Sequence, residues 1–334
     1  MSQHPGLDLM HVEMGRQCSD ALATLEAAGP IAEQIAESIR RTKRLVLYAM
    51  GGSQHVNRIA EPLYRDLGID TRAINASEVL MSPLPDGPRT AVIVSQSGES
   101  GEIVELLRTP AGQEERFGLT LESGSTLAKN VKAFIAAAGG TEHAFAATRS
   151  IILTVAMHGA VLEALGAPQD QLRAALATAP ASIEAVDEAL AGSDAYIFSG
   201  RHSMAGVAES AALSLMELAR VPTIGFEGGQ FRHGPFEVLR PGLAVLLLRS
   251  AACDAPGVAQ LAKTSVEGGC NVVLFDASGG TAIDGCTHVE LPVGAGLGAA
   301  MSMLLALQNF NIAVARRLIP QGIGSPRFTT KVTA

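Results

Sequence analysis

The sequence contains no tryptophan, and its aromatic residues amount to only 4%. Its core must therefore be built from Ala, Val, Leu and Ile, within an apolar fraction of 47%. Small side chains of this kind suit helices laid closely on a sheet. Cysteine is sparse: Cys18, Cys253, Cys270 and Cys286 share no Cys-x-x-Cys spacing. That argues against a zinc site and against a disulfide framework. Four scattered thiols fit a reducing compartment, so a cytoplasmic protein is expected. There is no basic run, and 33 acidic against 25 basic residues give a net charge of −8. General nucleic-acid binding needs many phosphate-neutralising Lys and Arg, and is not expected. A single local phosphate site stays open. The opening residues, Met1 to Asp8, carry neither a basic segment nor an apolar one, so no signal peptide is expected. No uninterrupted apolar run approaches the roughly 20 residues of a membrane helix, and no membrane partner is expected.

A chain of 334 residues is comfortable as two domains. Residues 7–41 read as helices, with His11, Met14, Cys18, Leu22 and Leu25 at helical spacing. Residues 1–30 form a lead-in. Residues 31–167 form a first α/β domain, 168–192 a helical linker and 193–334 a second α/β domain with a C-terminal tail. In the first domain, strands are expected at 44–50, 70–74, 90–94, 117–122 and 133–138, with a closing helix at about 147–165. In the second, strands are expected at 195–198, 223–226, 244–248, 271–275 and 287–291, with a closing helix at 297–318. Strands alternating with helices give a parallel sheet covered on both faces. The order of elements is the same twice, which predicts two flavodoxin-like sandwiches in tandem.

One stretch stands out, Ser95-Gln96-Ser97-Gly98-Glu99-Ser100. It follows an apolar β-branched run and precedes a helical pattern. The first NH groups of a helix have no partners within it, and the helix dipole favours negative charge there. The serine hydroxyls add donors, and Gly98 lets the backbone turn. A phosphate fits this description, although glycine-serine turns also occur for purely structural reasons. Gly51-Gly52-Ser53 ends another strand of the same domain. Its position lets Ser53 converge with Ser95–Ser100 on one anion. The matching turn of the second domain, Arg249 to Asp254, lacks the clustered donors. Glu99 would repel a phosphate, and is expected to point away or to cap a helix start.

Gly51-Gly52-Ser53, Ser95 to Ser100, Gly229-Gln-Phe-Arg-His-Gly-Pro235 and the tail from Ser325 to Ala334 resemble the sugar isomerase (SIS) superfamily. The chain is most similar to the isomerase half of glutamine–fructose-6-phosphate aminotransferase and to stand-alone deaminase and deglycase relatives. The resemblance covers about residues 30–334. It implies that Ser53, Ser95, Gln96, Ser97 and Ser100 hold a 6-phosphate. It implies that Glu217 carries a proton between C1 and C2, and that His233 assists ring opening from a partner subunit. Lys331 would lie in the tail that closes over the sugar. Gly52, Glu142 and Arg149 would line the site. A homodimer acting on a small sugar phosphate follows from the same comparison. Relatives that handle amino sugars usually read Leu-Lys-Leu-Lys-Glu before the base; here Ser214 and Met216 replace the lysines. The chain has no counterpart of the glutaminase domain, so ammonia release from glutamine is not expected of it.

Transfer of a proton between C1 and C2 needs one base able to reach both carbons, and a carboxylate with a raised pKa serves best. Periodicity alone does not select Glu217, which lies off the apolar stripe of Val207, Ala211, Leu215 and Leu218. A histidine titrates in the range that ring opening needs. A lysine over the sugar would neutralise an oxyanion. No cofactor is required for an internal proton transfer. No histidines pair at i, i+4, so no metal is expected. The expected reaction is aldose–ketose isomerisation of a hexose 6-phosphate or amino-hexose 6-phosphate, with or without loss of the amine. A non-catalytic sugar-phosphate sensor is the alternative.

Overall fold

The computed structural model describes residues 2–251 and 255–328. The chain divides into two compact units, one on Leu9–Gln169 and one on Asp170–Ser325 with the residues up to Asp8. The first unit takes α1 (Pro5–Ala27) from Leu9 onward, then α2 (Gly29–Thr42), β1 (Arg44–Ala49), α3 (Gly51–Asp66), β2 (Asp70–Asn75) and α4 (Ala76–Met81). It continues with β3 (Arg89–Val94), α5 (Gly101–Arg108), β4 (Glu114–Thr120), α6 (Thr126–Lys129), β5 (Ala133–Ala136) and α7 (Arg149–Ala164). Its five strands are all parallel, in the order β2-β1-β3-β4-β5. β3 is buried at every position, as expected of Thr-Ala-Val-Ile-Val in a central strand covered on both faces.

The second unit runs α8 (Asp170–Ala177), α9 (Glu184–Ala189), β6 (Ala195–Gly200), α10 (Ser203–Ala219), β7 (Thr223–Glu227) and α11 (Gly228–Phe231). A 3-10 turn at Pro235–Val238 leads to β8 (Leu243–Ser250), α12 (Ala255–Glu267), β9 (Asn271–Ala277), β10 (Cys286–Glu290) and α13 (Gly296–Leu318). Its sheet, β10-β9-β8-β6-β7, repeats the topology of the first unit read from the other edge. The two tandem αβα sandwiches are thus those of the sequence pattern. Gly225 shows why small residues recur: a Cβ there would lie 2.6 Å from the Cα of Glu209 on α10. Among the described residues α13 alone is long and apolar enough to cross a membrane, but 78% of that stretch is buried within the protein.

Three expectations about organisation differ from what is observed. Residues 168–192 are no free-standing linker. Gln171 of α8 accepts the Ala295 amide (2.9 Å), and a Cβ on Gly298 would come within 2.5 Å of the Gln171 side chain. The lead-in is packed into the first unit, where Thr24 accepts the Ala138 amide (2.9 Å). The buried face of α1 is only partly the one read from its apolar spacing. Leu25 is buried and Met14, Cys18 and Leu22 are half-buried, but His11 is exposed, and Leu7, Met10, Glu13, Gln17 and Ala21 are buried. Polar Glu13 lies inward because a buried arginine receives it.

Candidate functional site

β1 and β3 are neighbours in the first sheet, yet α3 and α5 follow them on connections that diverge to opposite sides of the strand order. This is the point at which an open parallel sheet leaves a crevice beyond its strand ends. Two helix starts meet there. In α3 the first turn closes only with the Gln54 amide on the Met50 carbonyl (3.4 Å), and in α5 with the Val104 amide on the Ser100 carbonyl (2.9 Å). The amides before each of these bonds have no partner within their helix. Neither N-cap residue, Met50 nor Ser100, supplies a side-chain cap. Both helices therefore leave their donors for something else.

The loop between β3 and α5 is held in shape by its surroundings. Ser95 is buried, and its Oγ accepts the Gly98 amide (3.1 Å) and lies 3.1 Å from Ser100 Oγ. Ser97 Oγ accepts the Glu99 amide (3.2 Å) and keeps its own hydrogen to donate. The Gln96 carbonyl takes the Leu121 amide (3.0 Å) and the Thr120 hydroxyl (3.2 Å). Gly98 has φ +65°, and a Cβ there would meet Ser125 Oγ at 2.2 Å. Only glycine satisfies both the conformation and the space. Glu99 turns away from the loop: its two oxygens accept the amide (2.6 Å) and hydroxyl (2.8 Å) of Thr126 at the start of α6. Those two bonds hold its carboxyl below the usual range. The helix it caps is α6 rather than α5. Gln96, Ser97 and Ser100 are half-buried, as is Ser53 at the start of α3. The crevice thus carries hydroxyl, amide and helix-end donors with no carboxylate turned into it from this loop.

Gly52 sits in the first turn of α3, where an added Cβ would meet Ile151 of α7 at 2.9 Å. The start of α7 is thereby placed beside the start of α3. Glu142 fixes it. Its carboxylate accepts the amides of Thr148 (3.0 Å) and Ser150 (3.2 Å) and the hydroxyls of both. Glu142 is 1% exposed and Arg149 is 0% exposed, so neither lines an open site. Arg149 donates to Glu13 (2.6 Å), Asp20 (3.0 Å) and the carbonyls of Ala138 (3.3 Å) and Gly140 (2.7 Å). Its guanidinium is fully occupied inside the fold. This corrects the reading of these two residues: both support the α7 terminus from below. Burial opposes the charge of Glu13, but the His143 amide and the guanidinium groups of Arg16 and Arg149 outweigh it and lower its pKa.

In the second unit Glu217 lies on the last turns of α10 and is exposed, while Val207, Ala211, Leu215 and Leu218 of the same helix are buried. His233 is also exposed, in the turn after α11, its amide bonded to the Gln230 carbonyl (3.0 Å). Lys331 and Cys253 lie outside the described residues. Arg249 belongs to the end of β8 rather than to a turn after it, and is ion-paired with Asp276 and bonded to the Thr281 carbonyl (3.0 Å), so the second switch point is built differently from the first. The sequence reading missed Ser125, Thr120 and Thr126, which surround the Ser95–Ser100 loop from β4 and α6. Ser125 carries a recognisable signal, a serine just before a short helical run, and caps α6 at Ala128 (3.2 Å).

Two parallel sheets of this order, with a serine-lined helix start at the first switch point, define the tandem SIS fold of phosphosugar isomerases. The particular resemblance is to the isomerase domain of glutamine–fructose-6-phosphate aminotransferase. No protein-family model matches the chain. The aminotransferase of Aeropyrum pernix is 30% identical over 261 residues, 71% of this chain and 40% of that protein. That of Mycolicibacterium smegmatis is 24% identical over 308 residues, 84% of this chain and 49% of that protein. The chain therefore spans less than half the length of the curated relatives it matches. Among solved structures, the C-terminal domain of the Francisella tularensis aminotransferase superposes with a TM-score of 0.81 at 18% identity, covering 95% of this chain and 98% of that one. Tagatose-6-phosphate ketose/aldose isomerase of Escherichia coli gives 0.82 at 18% identity, with 99% of both chains covered.

Proposed function

We propose that the chain is a phosphosugar isomerase-type enzyme acting on a hexose 6-phosphate or an amino-hexose 6-phosphate. One observation carries the reading: two uncapped helix starts and a serine-rich loop at the β1/β3 switch point, with the loop's own carboxylate turned aside. That arrangement suits a phosphate dianion. Relatives and structural neighbours named as fructose-6-phosphate aminotransferases, a tagatose-6-phosphate isomerase and a glucosamine-6-phosphate deaminase support the sugar phosphate as ligand.

The chemistry assigned to Glu217 is a proton transfer. Its carboxylate removes the C2 proton of the open-chain aldose. The electron pair forms the C1–C2 double bond of an enediol as the C1 oxygen takes up a proton. Return of the carried proton to C1, with loss of the O2 proton, gives the ketose. His233 serves ring opening, and Lys331 covers the substrate. With Ser214 and Met216 in place of the lysines of amino-sugar relatives, simple isomerisation is placed ahead of deamination and deglycation. The active form in this reading is a homodimer.

The test is exchange in deuterated water. The protein is incubated with fructose 6-phosphate, glucosamine 6-phosphate and a fructosamine 6-phosphate, and the C1 and C2 hydrogens are followed by NMR. Exchange with at least one substrate is expected, and Glu217→Gln abolishes it while binding persists. Binding without exchange for every phosphosugar would leave a sensor in place of an enzyme. Full exchange by Glu217→Gln would remove Glu217 from the mechanism.

A further inference from the structure

A cavity of about 420 Å³ opens in the first unit at the amino ends of β3 and β4, the opposite end of the sheet from the phosphate loop. Its walls are apolar: Val79 and Leu80 of α4, Leu84, Leu106 of α5 and Pro110. Its mouth is formed by Asp86, Ala111 and Gly112, all exposed. Its floor is a buried charge cluster. Arg89 and Glu114 side chains are 7% and 6% exposed, and Arg116 is 10% exposed.

The cluster is unequal. Glu114 receives the Tyr48 hydroxyl (3.0 Å) and Arg116 Nε (2.8 Å), and lies 3.3 Å from Arg89 Nε. Arg116 spends the rest of its fork on the Leu106 and Thr109 carbonyls (3.0 Å each) and the Thr109 hydroxyl (3.1 Å). Arg89 is less committed. Its Nη2 donates to the Pro85 carbonyl (2.7 Å), while its buried Nε has no aligned hydrogen bond. Two arginines share Glu114 in the floor, and Arg89 also acts on the Asp86 carboxylate at the rim. The rim carboxylate of Asp86 is occupied by the Gly87 amide (2.9 Å) and by Gln113 (3.3 Å). A guanidinium with a spare donor under apolar walls is the chemistry that receives a planar anionic head on an apolar body.

We propose that this cavity is a second ligand site, specific for a small amphipathic carboxylate whose head meets Arg89 and whose apolar body lies against Val79, Leu84 and Leu106. It lies at the end of the sheet where substrates of this architecture do not bind, and it does not rest on the phosphosugar assignment. A carboxylate set beside Arg89 gains a charge-assisted bond on binding, while the walls lose contact with water.

The experiment is a methyl-NMR titration of the full chain with 4-phenylbutyrate, and separately with the neutral 4-phenylbutyramide and with inorganic phosphate. Saturable shifts are expected at the methyls of Val79, Leu84 and Leu106, with half-saturation below about 1 mM for the carboxylate. The amide should bind at least about tenfold more weakly, since it forfeits the charge-assisted pair. Phosphate alone should not shift these methyls. Ala111→Phe places a ring in the exposed mouth and should abolish the shifts. Arg89→Lys, which keeps the charge but removes the fork, should weaken the carboxylate toward the amide. Equal binding of acid and amide by the unaltered protein, absence of saturable shifts up to about 10 mM, or unchanged binding by Ala111→Phe would each overturn the proposal.

Discussion

At Gly98 conformation and space coincide. The residue holds φ +65°, and any Cβ would press on Ser125, whose Oγ caps α6. Gly98→Ala should destabilise the protein by about 2 kcal/mol or more, from αL strain and overpacking together. Denaturant unfolding checks this, and the same variant should lose phosphosugar affinity. His158 is a different kind of residue. It is fully buried in α7, between the Tyr64 hydroxyl (3.1 Å) and Asn57 Oδ1 (3.1 Å). Burial pushes its pKa from 6.5 down to about 3. The unfolded chain therefore binds a proton that the folded protein refuses between those values. The stability this group contributes is complete above pH 6.5 and is lost as the pH falls toward 3. His158→Gln should flatten the fall of unfolding free energy across that interval, measured by denaturant titration at a series of pH values. The Ser95–Ser100 loop between β3 and α5 was legible in the sequence at this scale because its signal is local: hydroxyls and a glycine between strand and helix. Arg149 was misread because nothing local tells a buried arginine from a site arginine. Its partners Glu13 and Asp20 stand more than a hundred positions away.

Among elements, α1 and α7 are joined by that arginine. Removing it leaves the buried Glu13 with only Arg16 and the His143 amide to meet its charge. Arg149→Ala should cost about 3–5 kcal/mol, and Arg149→Met combined with Glu13→Gln should recover part of the loss. The carboxyl of Glu13 is held below its usual range, so its contribution is present above the ordinary carboxylate pKa and disappears as pH falls through the lowered value. Arg149→Met should therefore also blunt the acid limb of the stability profile. At the start of α7 the single carboxylate of Glu142 satisfies two amides and two hydroxyls. Glu142→Ala strands these groups, and about 1–3 kcal/mol of destabilisation is expected, with the α3 start at Gly52 losing its fixed neighbour. Strands were readable because central parallel strands are continuous apolar runs, as in β3 and β8. The inward face of α1 was not, because its polar residues are paid back by tertiary partners that no spacing reveals. The short helices α4, α6 and α11 also escaped, each being one turn or little more, with α6 and α11 set by the capping side chains of Ser125 and Glu227.

For the molecule as a whole, the doubled strand order was visible as a repeat in the sequence, since alternating strands and helices leave few right-handed solutions. The repeat also exposes a division of labour. The first unit keeps the open donors at its switch point, and the second fills the equivalent place with the buried Arg249–Asp276 pair. The roles given to Glu217, His233 and Lys331 rest on resemblance; Glu217 and His233 are exposed, and Lys331 lies outside the described residues. In the homodimer reading, sedimentation velocity should give twice the 34.5 kDa chain mass. The central claim is that the Ser95–Ser100 loop holds the phosphate of a phosphosugar, and a 31P NMR titration with fructose 6-phosphate addresses it most directly. The phosphorus resonance should shift saturably, fructose itself should not bind, and Ser97→Ala and Ser100→Ala should each weaken binding by about tenfold, the worth of one charge-assisted hydrogen bond. Fructose 6-phosphate binding unchanged in the Ser97→Ala, Ser100→Ala double variant would contradict the account.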